Sequence, residues 1–247
     1  MINQTRFSRG VKFFEEGFCK RWDLSIYKNK NAPCFFAGVY NMDDVKAINN
    51  HKGFKVVWSP GRVRPKLFPL LNPDNLVVLK YSDSIDHSLI KGKYKIKQAR
   101  FEIKDYSLFK SNLLGDCIYC YLGTEKAKYS YGFEEVEKLR KLTKFKMLIG
   151  MLGRTIEQLK IDLYDKSFVY FKPALVGGTT TSNELALMGR ETVGNTKGEF
   201  YLPYDSIEQA CEIIEDQAKN IGKVMGSVLN KNYFDTGKEW KQVKFWL

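Results

Sequence analysis

Residues 176–195 read VGGTTTSNELALMGRETVGN, and their punctuation decides how the chain is parsed. They follow an apolar run, residues 168–171 (FVYF), with the length and composition of a buried strand. A glycine pair, Gly177 and Gly178, opens a cluster of small hydroxyl residues: Thr179, Thr180, Thr181 and Ser182. A short helix is expected over residues 183–188, stopped by Gly189, and a second apolar step follows at Thr192 and Val193. Strand, loop, helix and strand in this order make a crossover unit of a parallel sheet. A hydroxyl-rich loop running into a helix start also forms a phosphate cradle, because unpaired backbone N–H groups and the positive helix end converge there. Glu184, expected in the first turn beside Asn183, is placed to accept bonds from the two hydroxyls of a ribose. The segment points to a nucleotide sugar.

The same alternation extends outward. Strands are expected over residues 117–122 and 145–149, and helices over residues 133–142 and 156–164. A long helix is expected from about Ser206 toward Leu229. Strands separated by helices give a parallel, Rossmann-like sheet whose ligands sit at the carboxyl ends of the strands. The first half repeats the pattern. Strands are expected over residues 33–38, 54–58, 75–80 and 98–103. Helices are expected over residues 42–49, capped by Asn41, and over residues 84–90. Three parts result: an α/β unit over residues 1–112, a nucleotide-binding α/β unit over residues 113–230, and a tail over residues 231–247. The tail carries Phe234, Trp240, Val243, Phe245 and Trp246, an amphipathic end suited to packing back on the body.

At 247 residues, 44% hydrophobic and 14% aromatic, the chain can bury a substantial core, which excludes a disordered protein. The N-terminus lacks the apolar run of a signal peptide, so cytoplasmic residence is expected. Its net charge of +12 suits polyanionic partners, although the lysines are spread along the chain. Cys117 and Cys120 form a CxxC within DCIYCYLG, which reads as a strand with buried thiols rather than a zinc set. No metal is expected. His51, in a turn, and His87, on an expected short helix, have no partners that would make a catalytic triad. Asp43 and Asp44 fit dipole compensation at a helix start. Asp43, Asp83 and Asp86 are the carboxylates weighed as catalytic base.

Two α/β units in tandem, the second carrying the nucleotide-like loop, resemble a small GT-B glycosyltransferase of viral, phage or bacterial type. The stretch FFAGVYNMDDVKAINNHKGFKVVWSPGR is similar to a pattern of such enzymes, through Gly38, Tyr40, His51, Gly53 and Trp58. TTTSNELALMGRETVGN is similar to their segment around the donor-binding glutamate, here Glu184. The likeness spans roughly residues 33–222. It implies two Rossmann-like domains facing across a cleft, the N-terminal one reduced. It also implies a nucleotide-sugar donor (a UDP-sugar favoured), hexosyl transfer and no obligatory cofactor. By this likeness Glu184 binds the donor ribose. Gly177, Gly178, Thr179, Thr180, Thr181, Ser182 and Asn183 face the diphosphate or sugar. Gly123 and Thr124 form a first phosphate-side loop, Lys126 or Lys128 neutralises the leaving diphosphate, and residues 150–154, Arg154 among them, lie near the base. Tyr40, Trp58, Ser59 and Arg62 fall on the acceptor side. The acceptor implied is either a hydroxymethylated base of viral DNA or a glycan or lipid-linked sugar. Two stretches depart from the pattern. Val176 stands eight residues before Glu184, where many retaining members carry a second acid, and Ser59 to Arg62 replace a Gly-Gly-Ser-Asp run. A basic Rossmann-like module that binds nucleic acid without catalysis is the other reading of the residues.

Overall fold

A computed structural model describes residues 1–9, 11–59, 66–80, 92–98, 103–151, 153–173, 180–195, 200–229, 240, 241 and 243, without the side chains of residues 13, 59 and 98. The chain divides into two compact units, Met1–Asp105 with Phe234–Leu247, and Tyr106–Tyr233.

The first unit contains β1 (Gln4–Phe7), α1 (Glu15–Trp22), β2 (Ser25–Ile26), β3 (Cys34–Ala37), α2 (Met42–Asn49), β4 (Lys55–Ser59), β5 (Leu76–Lys80) and β6 (Lys95–Gln98). The six strands pair in the order β2-β1-β3-β4-β5-β6, every pair parallel. Alternation along the strands gives the sheet two apolar faces, as a sheet covered on both sides requires. Phe35, Ala37, Val56, Trp58, Val77 and Leu79 face one cluster with Phe18 of α1. Phe36, Val57 and Val78 face the other with Val45 and Ile48 of α2. Trp240 and Val243 are fully buried in the first cluster, where Trp240 meets Phe18 and Phe35 edge-on at 4.9 and 5.1 Å.

Sequence reading passed over β1, β2 and α1. The strand β1 begins with two polar residues, Gln4 and Thr5, and both are buried. The Gln4 amide donates to the carbonyls of Asn29 and Ala32 and accepts from the N–H groups of Lys28 and Asn29. One side chain thereby closes the loop between β2 and β3. The segment expected as a strand over residues 98–103 is instead β6, ending at Gln98. Residues 99–102 and the helix expected over residues 84–90 lie outside the described residues.

The second unit contains β7 (Cys117–Tyr121), α3 (Phe133–Leu142), β8 (Met147–Gly150), α4 (Ile156–Leu159) continued by a π-helical segment (Lys160–Tyr164), β9 (Ser167–Lys172), α5 (Thr180–Leu187), β10 (Thr192–Gly194), β11 (Tyr201–Leu202) and α6 (Ile207–Gln217). Its five strands are again parallel, in the order β11-β10-β9-β7-β8. Ile118, Cys120, Val169, Phe171 and Val193 pack against α3 and α6 through Val136, Leu139, Ala210 and Ile214. Cys117 and Cys120 are buried free thiols, three residues apart on a strand and therefore on opposite faces. The first unit, expected to be the reduced one, shows six strands among the described residues against five in the second.

Two helix boundaries differ from expectation. The helix α6 is capped by Ser206, whose side chain accepts from the Gln209 N–H at 3.2 Å, but it ends at Gln217 rather than near Leu229. Gly222, with φ of +77°, turns the chain back so that its N–H bonds the Leu114 carbonyl. The helix α5 starts earlier than expected, at Thr180. Burial of every residue from Ser182 to Leu187 overrides the low helix propensity of its Thr and Ser. Among the described residues, no helix is long and apolar enough to cross a membrane.

Candidate functional site

The parallel register puts the last residues of the second sheet on one edge. Tyr121 of β7 pairs with Gly150 of β8, and Lys172 of β9 with Gly194 of β10. Gly150 at the end of β8, and Gly123, Thr124, Gly153, Arg154 and the start of α5 beyond the strands, therefore share the carboxyl edge, where ligands of such sheets bind.

Gly123 has φ of +72°, and a Cβ there would lie 2.8 Å from the Tyr131 ring, so the turn requires glycine. Thr124 is exposed, and its hydroxyl accepts the Ala127 N–H at 3.2 Å. Lys126 is exposed. Lys128 is half-buried, paired with Glu125 at 3.0 Å and laid over the Phe133 ring at 4.5 Å, so its charge is already engaged. Arg154 is exposed just before Thr155, which caps α4 in a reciprocal box with Gln158. At Gly150 a Cβ would fall 2.1 Å from the Tyr119 hydroxyl, which leans over that glycine at the same edge.

The first turn of α5 contains no acid. Thr180 is exposed, Thr181 half-buried, Ser182 and Asn183 buried. Because the helix begins at Thr180, Glu184 falls in its second turn, not its first. Glu184 is 2% exposed, and one carboxylate oxygen accepts from the Tyr164 hydroxyl at 2.5 Å. Gly177, Gly178 and Thr179, with Val176 before them, lie outside the described residues.

Two residues of this unit escaped the sequence reading. Lys172 ends β9 at the carboxyl edge and is buried, which lowers its pKa. Its signal is a lysine closing an apolar strand. Arg190, fully buried, donates from Nε to the Ser167 carbonyl and from its terminal nitrogens to the Asn112 side chain and the Met188 and Leu113 carbonyls. Burial pulls its pKa down to about 10. Asn112 also donates to Asp165, which Lys160 bonds at 2.9 Å. Arg190 thus ties the end of α5 to β9 and to the chain entering the unit. Nothing local in the sequence marks these partners.

In the first unit, Tyr40 and Asp43 follow the carboxyl end of β3, and Ser59 ends β4. Tyr40 is half-buried and its ring covers Gly38, whose φ is +87° and whose Cβ would meet that ring at 2.2 Å. Asp43 is exposed in the first turn of α2. Trp58 is 3% exposed within the apolar core. His51 is buried against Tyr27, 3.3 Å from its hydroxyl, and Phe36, and burial followed by the Lys55 charge lowers its pKa. Gly53 lets the backbone at Asn31 approach, since a Cβ would lie 2.4 Å from that carbonyl oxygen. The His-x-Gly pattern is thus a packed turn. Arg62, Asp83, Asp86 and His87 lie outside the described residues.

No protein-family model and no curated protein matches the chain. Among solved structures it is similar to TarM, with a TM-score of 0.56 and 9% identity, over 87% of this chain and 55% of TarM. It is also similar to the glycosylation-associated protein Gap123 complex from Streptococcus agalactiae, with a TM-score of 0.44 and 8% identity, over 95% of this chain and 55% of that one. The chain spans about half the length of each. At such identity the likeness to TarM concerns the fold, a two-unit Rossmann-like arrangement of parallel α/β sheets.

Proposed function

We propose that the chain is a nucleotide-sugar-dependent glycosyltransferase, a hexosyltransferase using a UDP-sugar. The observation that carries this reading is the convergence at one sheet edge of a glycine turn, exposed cations and an acid-free helix start, with Glu184 one turn further along that helix. The likeness of fold to TarM points toward the same class. On this reading the diphosphate lies at the start of α5, near Thr180, Thr181 and the Gly123–Thr124 turn, with Lys126 and Arg154 supplying positive charge. The ribose hydroxyls donate to Glu184. An acceptor hydroxyl oxygen attacks the anomeric carbon, the bond from that carbon to the phosphate oxygen breaks, and the nucleoside diphosphate leaves. The acceptor proton passes to a base. The helix end and cations stabilise the negative charge that grows on the leaving group. The acceptor is taken by the first unit, around Tyr40 and Ser59. The net charge of +12 favours DNA carrying a hydroxymethylated base over a neutral glycan.

A thermal-shift panel of UDP, GDP, UDP-glucose and GDP-mannose tests the donor. The matching nucleotide stabilises the protein by about 2.7 kcal/mol at 100 times its Kd, and Glu184→Ala removes most of the shift. Transfer of labelled sugar to hydroxymethylated duplex DNA, plain DNA and glycans identifies the acceptor. An unmoved melting curve with every nucleotide, together with DNA binding that collapses with salt, supports the non-catalytic module instead.

A further inference from the structure

Tyr164 ends the π-helical segment Lys160–Tyr164 that continues α4. Such segments are rare and recur at functional sites, because the wider turn redirects one side chain. The phenol meets α5, where its hydroxyl donates to Glu184 at 2.5 Å. Thr181 stands three residues before Glu184 on the same helix, hence on the same face, and it lies beside the same phenol, as does the Tyr119 hydroxyl. The Tyr164 ring is boxed by Tyr119, edge-on at 5.2 Å, and by Phe109 at 6.2 Å. Tyr164 and Tyr119 are both buried. Burial raises the Tyr164 pKa, so the phenol stays a donor throughout the working pH range. The bond engages one oxygen of a group that has about four acceptor sites.

We propose that Tyr164 is a positioning residue that makes the site selective for ribonucleotides, by holding the Glu184 carboxylate in the orientation that receives ribose hydroxyls. The proposal rests on the reading of Glu184 as the ribose acceptor. Without the phenol, one of the contacts that orient the carboxylate is lost, and the ribose must supply that part of the ordering on binding.

The test is calorimetric titration of UDP or GDP, whichever shifts the melting curve more, and of its 2′,3′-dideoxy analogue. The proteins are the full-length chain, Tyr164→Phe and Glu184→Gln. The unmodified chain should prefer the ribonucleotide by about tenfold or more, as expected for bonds to a charged group. Glu184→Gln should erase most of that preference. Tyr164→Phe should weaken the ribonucleotide by roughly five- to tenfold and leave the dideoxy analogue within about twofold. Equal weakening of both ligands in Tyr164→Phe would mean a packing role and overturns the proposal. So does an unchanged preference in Tyr164→Phe while Glu184→Gln loses it, and that outcome leaves the ribose reading standing. If the unmodified chain does not distinguish the two ligands, or Glu184→Gln keeps the preference, the ribose reading itself falls and takes the proposal with it. Should Tyr164→Phe fail to fold, 3-fluorotyrosine at position 164 keeps the ring and alters the donor. A change confined to the ribonucleotide then supports the proposal, and no change overturns it.

Discussion

Helices α2 and α5 each begin at the carboxyl edge of a parallel sheet, yet their first turns are built oppositely. The start of α2 satisfies itself. Asn41 accepts the Asp44 N–H at 2.9 Å, and one Asp44 oxygen accepts the N–H groups of Tyr40 and Asn41 and the hydroxyl of Ser8. Asp43 and Asp44 place negative charge on the helix dipole. The first turn of α5 has hydroxyl residues and no acid. The difference separates a helix start that carries its own negative charge from one whose described first turn carries none. It is the contrast on which the proposed placing of the nucleotide in the second unit depends.

Asp44→Ala should break the self-satisfied end most severely. It strands two backbone N–H groups and a buried hydroxyl, with an expected loss of about 2–4 kcal/mol in urea unfolding of the first unit. Nucleotide affinity in the folded fraction should not change. Thr180→Asp sharpens the comparison by giving α5 the kind of first turn that α2 has. Thr180 is exposed, so the helix should tolerate the change or gain a few tenths of a kcal/mol. Nucleoside diphosphate affinity should fall by about tenfold or more through repulsion, with a nucleoside lacking phosphate unaffected.

The smallest effect concerns His51, at the opposite end of the first sheet from α2's first turn. Its pKa is lowered on folding, so the unfolded chain takes up the proton first and stability rises with pH. The contribution is complete above the ordinary value of 6.5 and drains away as the pH falls below it. Chemical denaturation of His51→Phe at a series of pH values should show a flatter slope below pH 6.5 than the unmodified chain. An unchanged slope would place the acid sensitivity elsewhere.

How far the sequence reaches is visible in particular residues. The periodicity of residues 133–142 matches α3 end to end, and Asn41 and Ser206 were readable as caps because a cap's partners lie within a few residues. The start of α5 was misplaced because the burial of Ser182 to Leu187, which no local signal reports, holds the helix that Thr180 and Thr181 extend. In the candidate site, the alternation of strands and helices placed residues 180–183 at the ligand edge, while Gly123, Thr124 and Arg154 were reached only through the glycosyltransferase resemblance. Tyr164 was reached by neither, since its phenol reaches Glu184 across twenty residues through a π-helical turn.

The sequence by itself determined what is periodic and local: parallel α/β units, their capped helices, and a hydroxyl-rich start to α5. Tertiary structure alone decided which polar residues are buried and what they hold. Gln4 closes a loop some twenty-five residues away, and Arg190 reaches Asn112 across seventy-eight. The physical reason is that a buried polar group must find a partner or forfeit its hydration. That partner is chosen by proximity in space, and adjacent residues carry no record of it.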